Sequence, residues 1–481
     1  MNLTPEQQAA IDAVVSGRDV FLRSGAGTGK TTTLEAMITA RGRPAIALAF
    51  NKDIAEELQE KLQTPHRARS FNSIGWLTWK AHVGRPCPPD GSKLRKLLDL
   101  ILEKANLTLP RDVKSDIVSA TGWAKNNGLV PRDCKQPGKS LVPDTDGWWS
   151  EHLREDLHCK LARLLLNLSI NEAYKGNIDF DDQVYMPACF ACVWEKPELL
   201  AVDEAQDLNP VNIQIIKKLG PKQLIAVGDP WQAIYAFRGA LHDSWDQLLA
   251  LRANRNNPIE LPLSITFRCS QAVVQEANKH VASLRARPDA PAGSVSVQSA
   301  PFDPTICPPG GAILCRNNAP LARAALALLS AGRPIRLLAS DSLGSLSMDI
   351  RAAARRRGPF HANLSLYFSE KISRTEDESL QASLADRRDM LLSLNRGDPE
   401  DLIATLSKLM VRSNKPTAVT LSTIHRAKGL EWPDVFLLDP HLIPAPWAEG
   451  PQLAQELNLR YVAQTRAKLN LTYVYTKGQK Q

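Results

Sequence analysis

The stretch from Asp19 to Leu34, Asp-Val-Phe-Leu-Arg-Ser-Gly-Ala-Gly-Thr-Gly-Lys-Thr-Thr-Thr-Leu, constrains the fold most. Val20, Phe21 and Leu22 read as a short buried strand, and Ser24 to Gly29 form a glycine-dense turn. From Lys30 the apolar residues Leu34, Met37 and Ile38 share one face at helical spacing. A strand, a glycine loop and a helix in that order build a phosphate cradle. Glycines let backbone N–H groups converge on one anion, and the helix N-terminus adds partial positive charge. Ser24, Gly25, Ala26, Gly27, Thr28, Gly29, Lys30, Thr31 and Thr32 are therefore the candidate nucleotide-binding residues. Lys30 can reach the β- and γ-phosphates, and the Thr31 hydroxyl can ligate Mg²⁺. The usual pattern starts with Gly where this chain has Ser24, another small residue.

Around that stretch, strands and helices alternate, which predicts a parallel sheet. Leu3–Gln8 opens a helix with Thr4 as its cap and Pro5 in the first turn. Residues 44–50 are an apolar strand, followed by a helix carrying Ile54, Leu58 and Leu62. From about Ile74 to Asn177 the pattern turns helical. Leu94, Leu97, Leu98 and Ile101 form one face, and Leu153, Leu157, Leu161, Leu164 and Leu168 another. Trp148 and Trp149 are more often core than nucleic-acid platforms at such positions and are assigned no role. Strand signals return at Leu199–Val202 and Gln223–Val227. The first ends in Asp203-Glu204-Ala205-Gln206-Asp207, the second in Gly228-Asp229-Pro230-Trp231-Gln232. Ligands in open α/β sheets bind at strand C-terminal ends. Asp203 is placed to hold Mg²⁺, and Glu204 to deprotonate an attacking water. A second α/β series occupies residues 311–338 and 419–475, with a charged helical stretch at 351–416 between its parts.

The charge is +8, from 59 basic and 51 acidic residues, which favours a polyanionic partner. There is no signal-peptide pattern and no run of eighteen apolar residues, so a soluble, cytoplasmic protein is expected. Of eight cysteines only Cys189 and Cys192 have ligand-like spacing, and an apolar setting reads them as reduced core thiols.

ATP hydrolysis also needs positive charge on the γ-phosphate in the transition state. Arg268 and Arg466 are the candidates, although composition does not separate them from other arginines.

The ordered motifs from Leu3 to Ala467 resemble those of UvrD/Rep/PcrA-type superfamily 1 DNA helicases, in a compact version such as phages and some bacteria carry. The resemblance implies an α/β fold of two RecA-like parallel-sheet domains with helical insertions. The first domain would comprise 1–73 and 178–262, with a helical insertion at 74–177. The second would comprise 263–350 and 417–481, with a short helical insertion at 351–416. It further implies roles for particular residues. Gln7 would read the adenine edge, Phe267 would stack on adenine, and Glu431 would contact the nucleotide ribose. Gln232 would sense the γ-phosphate, and Arg268 and Arg466 would be arginine fingers. Phe50, Asn51, Asn72, Tyr235, Phe237, Arg238, Thr423, His425 and Lys428 would contact DNA. Asp179-Phe180-Asp181-Asp182 resembles the acidic-aromatic segment preceding the magnesium strand. Asn72, Phe237 and Thr266 depart from the residues common in the family.

The implied activity is an ATP- and Mg²⁺-dependent 3′-to-5′ motor on single-stranded DNA that unwinds duplex at single-strand/double-strand junctions. It would act as a monomer, alongside recombination or replication proteins. Two alternatives stay open: a translocase that strips proteins from single strands and unwinds weakly, and an ATP-switched DNA-binding scaffold.

Overall fold

The computed structural model describes residues 3–476 apart from 154, 235–240, 242, 282, 299–301, 339–341, 374–377 and 412. The chain forms two units, Met1–Ser24 with Gly29–Leu263, and Gly25–Thr28 with Ser264–Gln481.

The first unit is built on six parallel strands: β1 (Val20–Ser24), β2 (Ala45–Ala49), β3 (Arg67–Ser70), β4 (Leu199–Val202), β5 (Gln223–Gly228) and β6 (Ile259–Leu263). Their spatial order is β3-β2-β4-β5-β1-β6. Every residue of β2, β4 and β5 is buried, as expected of strands covered on both faces. The two-residue period sorts side chains onto two cores. Val20, Leu22, Ala45, Ala47, Ile225 and Val227 pack on one face with α1 (Pro5–Val15), α2 (Lys30–Arg41) and α3 (Lys52–Lys61). Phe21, Leu48, Val202 and Ala226 share the other core with the helices that follow.

Those helices are α4 (Phe71–Val83), α5 (Lys93–Lys104), α6 (Arg111–Asn126), α7 (Asp146–Ser150), α8 (Asp156–Tyr174) and α9 (Asp182–Cys189). The helix α5 buries Leu94, Leu97, Leu98 and Ile101, the face read from the spacing. The helix α8 differs from its reading. Leu157 and Leu164 are 43% and 50% exposed, while Ala162, Leu165, Ser169, Ile170 and Ala173 face the core. Leucines occur on more than one side of this helix, so leucine spacing alone misassigns its inner face. Trp149 is fully buried, with Nε1 donating to Asp144. Cys189 is buried, and burial pushes its thiol up to about 12, so it stays protonated at neutral pH. Burial likewise raises the Cys192 thiol to about 11. Two further helices, α10 (Pro210–Leu219) and α11 (Ser244–Arg252), complete the unit.

The segment 179–182 is anchored by buried charge. Lys93 Nζ lies 2.5 Å from Asp182, and Lys125 Nζ lies 2.5 Å from Asp179 and 2.8 Å from Asp182. Burial works against the Lys125 charge, but the Asp182 and Asp179 carboxylates outweigh it and keep the ammonium protonated. Each aspartate also accepts the backbone N–H of the other, at 2.9 Å. These bonds tie α5 and α6 to the N-terminus of α9.

The second unit opens with a parallel two-strand pair, β7 (Ile265–Thr266) and β8 (Arg285–Ala286), around α12 (Gln271–Ala277). Its main sheet contains β9 (Ser294–Gln298), β10 (Ala312–Cys315), β11 (Ile335–Leu338), β12 (Val419–Thr423), β13 (Trp432–Leu438) and β14 (Ala467–Val474). All pairings are parallel, in the order β11-β12-β10-β13-β14-β9. The helix α13 (Asn318–Ser330) crosses from β10 to β11. Between β11 and β12 lie α14 (Leu343–Ala354), α15 (Phe360–Ser373), α16 (Glu378–Leu394) and α17 (Pro399–Met410). Their residues Leu346, Phe368, Leu391 and Leu406 share one apolar core with Ile313 of β10 and Leu421 of β12. The short α18 (Ile424–Ala427) and the longer α19 (Gly450–Gln464) follow. Two sheets, both parallel and helix-flanked, are the α/β architecture expected from the sequence. Among the described residues, no helix is long and apolar enough to cross a membrane.

Candidate active site and nucleic-acid interface

In the first unit, β1, β5 and β4 are successive neighbours, so three loops leave the same sheet edge side by side. The loop after β1 carries Ser24 to Gly29, the loop after β4 carries Asp203-Glu204, and the loop after β5 carries Asp229. Gly27 and Gly29 have φ of 70° and 80°, a left-handed backbone that glycine adopts without strain. Gly29 is the N-cap of α2, and a Cβ there would stand 3.2 Å from Gln7 Nε2. Ser24 fits its position because its hydroxyl donates to the Gly228 carbonyl at 2.7 Å, away from the loop interior. Thr28 Oγ1 donates to the Gly25 carbonyl at 3.0 Å and braces the turn.

Lys30 Nζ lies 3.4 Å from Glu204 Oε1. Glu204 has a φ of 52°, a left-handed conformation that costs a non-glycine residue about 1 kcal/mol. Its N–H donates to Asp203 Oδ1 at 2.9 Å, and Asp203 N–H is held by the Leu48 carbonyl at 2.9 Å. Burial and the neighbouring Glu204 carboxylate push Asp203 up to about 7. A buried carboxylate followed by a second one, with a threonine hydroxyl in the first turn of α2, offers oxygen donors of the kind a hard divalent cation takes. Asp203 and Thr31 fit Mg²⁺ in that sense. Asp229 is also raised by burial, and its Oδ2 accepts from Gln232 Nε2 at 2.6 Å. Gln7 is engaged at both ends of its amide. Oε1 accepts the Thr4 N–H at 2.9 Å, completing the helix cap, and Nε2 donates to Thr33 at 3.0 Å. Thr31 and Thr32 lie in the first turn of α2, with Thr32 exposed.

A cavity of about 720 Å³ opens elsewhere on this unit. Phe50, Asn72, Trp123 and Phe180 line it, with Arg95 and Asp181. Asn72 Nδ2 donates to the Phe180 carbonyl and to Gln183, each at 3.0 Å, which fixes one wall. Burial pushes Asp181 up to about 6, against the opposing pull of Lys125. Asp207 and Asn209 complete another side. Asn51 is exposed and caps α3, accepting the Ile54 N–H at 2.8 Å. Tyr235, Phe237 and Arg238 lie outside the described residues.

In the second unit a cationic cluster surrounds Glu431. Arg268 Nε lies 2.5 Å from Glu431 Oε2, and Lys468 Nζ lies 3.1 Å from Oε1. Arg466 is fully buried, donating to the carbonyls of Val462 and Leu430 and to Thr465 Oγ1. Arg268 also donates to the Thr465 carbonyl at 3.3 Å, so both arginines converge on one turn. Phe267 is exposed beside them. Thr423 is buried at the start of α18, and His425 and Lys428 are partly exposed near it.

Sequence reasoning assigned no role to Gln206, Asp207, Trp123, Asn126 or Asn209. The Glu-x-Gln-Asp spacing was the available signal for Gln206. The others become neighbours only through the fold.

The glycine loop, the Lys30-Thr31 pair and the acidic pair two strands away define a P-loop nucleotide-binding protein. The chain belongs to the UvrD/REP helicase family: that family's N-terminal domain matches residues 3–249, and the UvrD-like helicase C-terminal domain matches residues 373–478. It is 27% identical to the "Probable DNA helicase II homolog" of Mycoplasma capricolum, over 60% of this chain and 42% of that relative. It is 24% identical to "F-box DNA helicase protein 1" of Schizosaccharomyces pombe, over 98% of this chain and 57% of that relative. It is 26% identical to "ATP-dependent DNA helicase UvrD2" of Mycobacterium tuberculosis, over 96% of this chain and 77% of that relative. The chain thus spans about half the length of the first two.

Proposed function

We propose that this protein is an ATP-dependent DNA helicase that moves 3′-to-5′ along single-stranded DNA and unwinds duplex. The observation that carries this reading is Lys30 paired with Glu204 beside Asp203, at one edge of a parallel sheet. Thr31 and Asp203 would hold Mg²⁺, which when bound neutralises charge on the β- and γ-phosphates. Backbone N–H groups of the loop bind the phosphates. Lys30 leaves Glu204 for the nucleotide, freeing Glu204 Oε1 to take a proton from the attacking water. Arg268 and Arg466 supply the positive charge that the transition state requires. Phe50, Trp123 and Phe180 offer faces on which bases stack, worth about 1–3 kcal/mol per base and indifferent to sequence.

Strand displacement with ATP and Mg²⁺ tests the reading. The expected outcome is unwinding of a duplex carrying a 3′ tail and none with a 5′ tail. Displacement from the 5′ tail alone would reverse the polarity. Lys30→Ala is expected to lower turnover by about 10²-fold or more while single-strand binding persists, as loss of transition-state charge alone predicts. Full turnover in that variant would overturn the site.

One observation favours a second reading, a translocase that strips bound proteins and unwinds weakly. Helices α14–α17 share their core with the second sheet and make only a short insertion, which is little for gripping duplex. DNA-stimulated turnover without displacement from either tail would select it.

A further inference from the structure

Gln206 lies between the carboxylate read as general base and the cavity read as the DNA site, and neither role uses it. It is 3% exposed. Its side-chain amide is engaged at both ends. Oε1 accepts the Asp229 backbone N–H at 2.9 Å. Nε2 donates to Glu204 Oε2 at 2.5 Å and to Asp207 Oδ2 at 3.4 Å. The space for this amide is set by the neighbouring strand, because a Cβ on Gly228 would stand 2.6 Å from Gln206 Oε1. Asp207 in turn lines the cavity, together with Phe50, Asn72 and Phe180. One planar group therefore touches the general base, the first residue of the Asp229–Gln232 segment and the cavity wall.

We propose that Gln206 is the positioning residue through which a single strand seated in the cavity acts on Glu204. The proposal rests on the DNA-motor reading of the first unit. One NH₂ group serves two carboxylates, so its alignment with one is set against its alignment with the other. A polyanion entering the cavity moves the Asp207 carboxylate by repulsion or by a new hydrogen bond. The amide follows, and the direction in which Glu204 presents its oxygens changes. The short 2.5 Å bond holds Glu204 in one orientation, and the longer 3.4 Å bond is the one an occupant can alter. Spatial adjacency alone does not establish energetic coupling, so the test is a mutant cycle.

ATP turnover of the full chain is measured with and without oligo(dT), and oligo(dT) affinity by fluorescence anisotropy. Gln206→Ala is expected to cut the stimulation factor about tenfold while affinity stays within about threefold. Asp207→Ala, which also alters the cavity wall, is expected to cut the stimulation factor at saturating oligo(dT) about as far, and the double variant to be no worse than either single, since both remove one linkage. Asp207→Asn keeps an oxygen acceptor for Nε2 and is expected to recover most of the stimulation. Wild-type stimulation in Gln206→Ala would overturn the proposal, as would additive losses in the double variant. If Gln206→Ala does not fold, the Asp207 pair decides by the same criterion, alanine losing and asparagine keeping stimulation. A wild-type protein that oligo(dT) does not stimulate would instead overturn the motor reading beneath it.

Discussion

At the scale of single residues, the first unit holds charges in two opposite ways. Lys125, Lys93, Asp179 and Asp182 satisfy one another in the interior. Removing one member leaves the rest unbalanced, so Lys125→Met is expected to cost about 3–5 kcal/mol, read from denaturant unfolding. Asp181 is the reverse case. Burial raises its carboxyl to about 6, so the fold prefers the neutral acid. Its stability contribution is complete below the unfolded carboxyl range and is lost as pH rises through about 6. Asp181→Asn, neutral at every pH, is therefore expected to stabilise the protein by about 1–3 kcal/mol near pH 8. The gain should vanish near pH 4, and melting temperatures across that range would check it. Neighbouring aspartates with opposite behaviour were not legible in Asp179-Phe180-Asp181-Asp182. What separates Asp182 from Asp181 is that Asp182 meets two lysines, Lys93 of α5 and Lys125 of α6.

At the scale of elements, strand ends were legible and helix faces less so. Asp203 and Glu204 follow a fully apolar strand, so sequence alone puts them at a strand's C-terminal end, where α/β sheets bind ligands. The cavity was hidden because its walls come from segments scattered between Phe50 and Asn212. Close packing of α4 on α9 creates part of that wall. A Cβ on Gly75 would fall 2.1 Å from the Gln183 carbonyl oxygen, a distance no side chain tolerates. Gly75→Ala is expected to force the two helices apart and cost about 1–3 kcal/mol of stability. Because Asn72 and Phe180 sit at that crossing, oligo(dT) affinity should fall as well. An unchanged melting temperature in Gly75→Ala would contradict this account of the crossing.

For the whole molecule, a surplus of eight positive charges implies that association with a polyanion releases counterions. Oligo(dT) binding should weaken steeply between about 50 and 200 mM salt, and a flat titration would count against a backbone-tracking channel. The strand order carries a different consequence, for biosynthesis. In the first sheet β4 lies between β2 and β5, yet β3 ends at Ser70 and β4 begins only at Leu199. A ribosome adding about 5–20 residues per second needs about 6–26 s to make the intervening segment. Throughout that interval the nascent β2 has an open edge where β4 will later insert. For that whole period the growing chain is exposed to mispairing, and a holding chaperone would have an opportunity to bind.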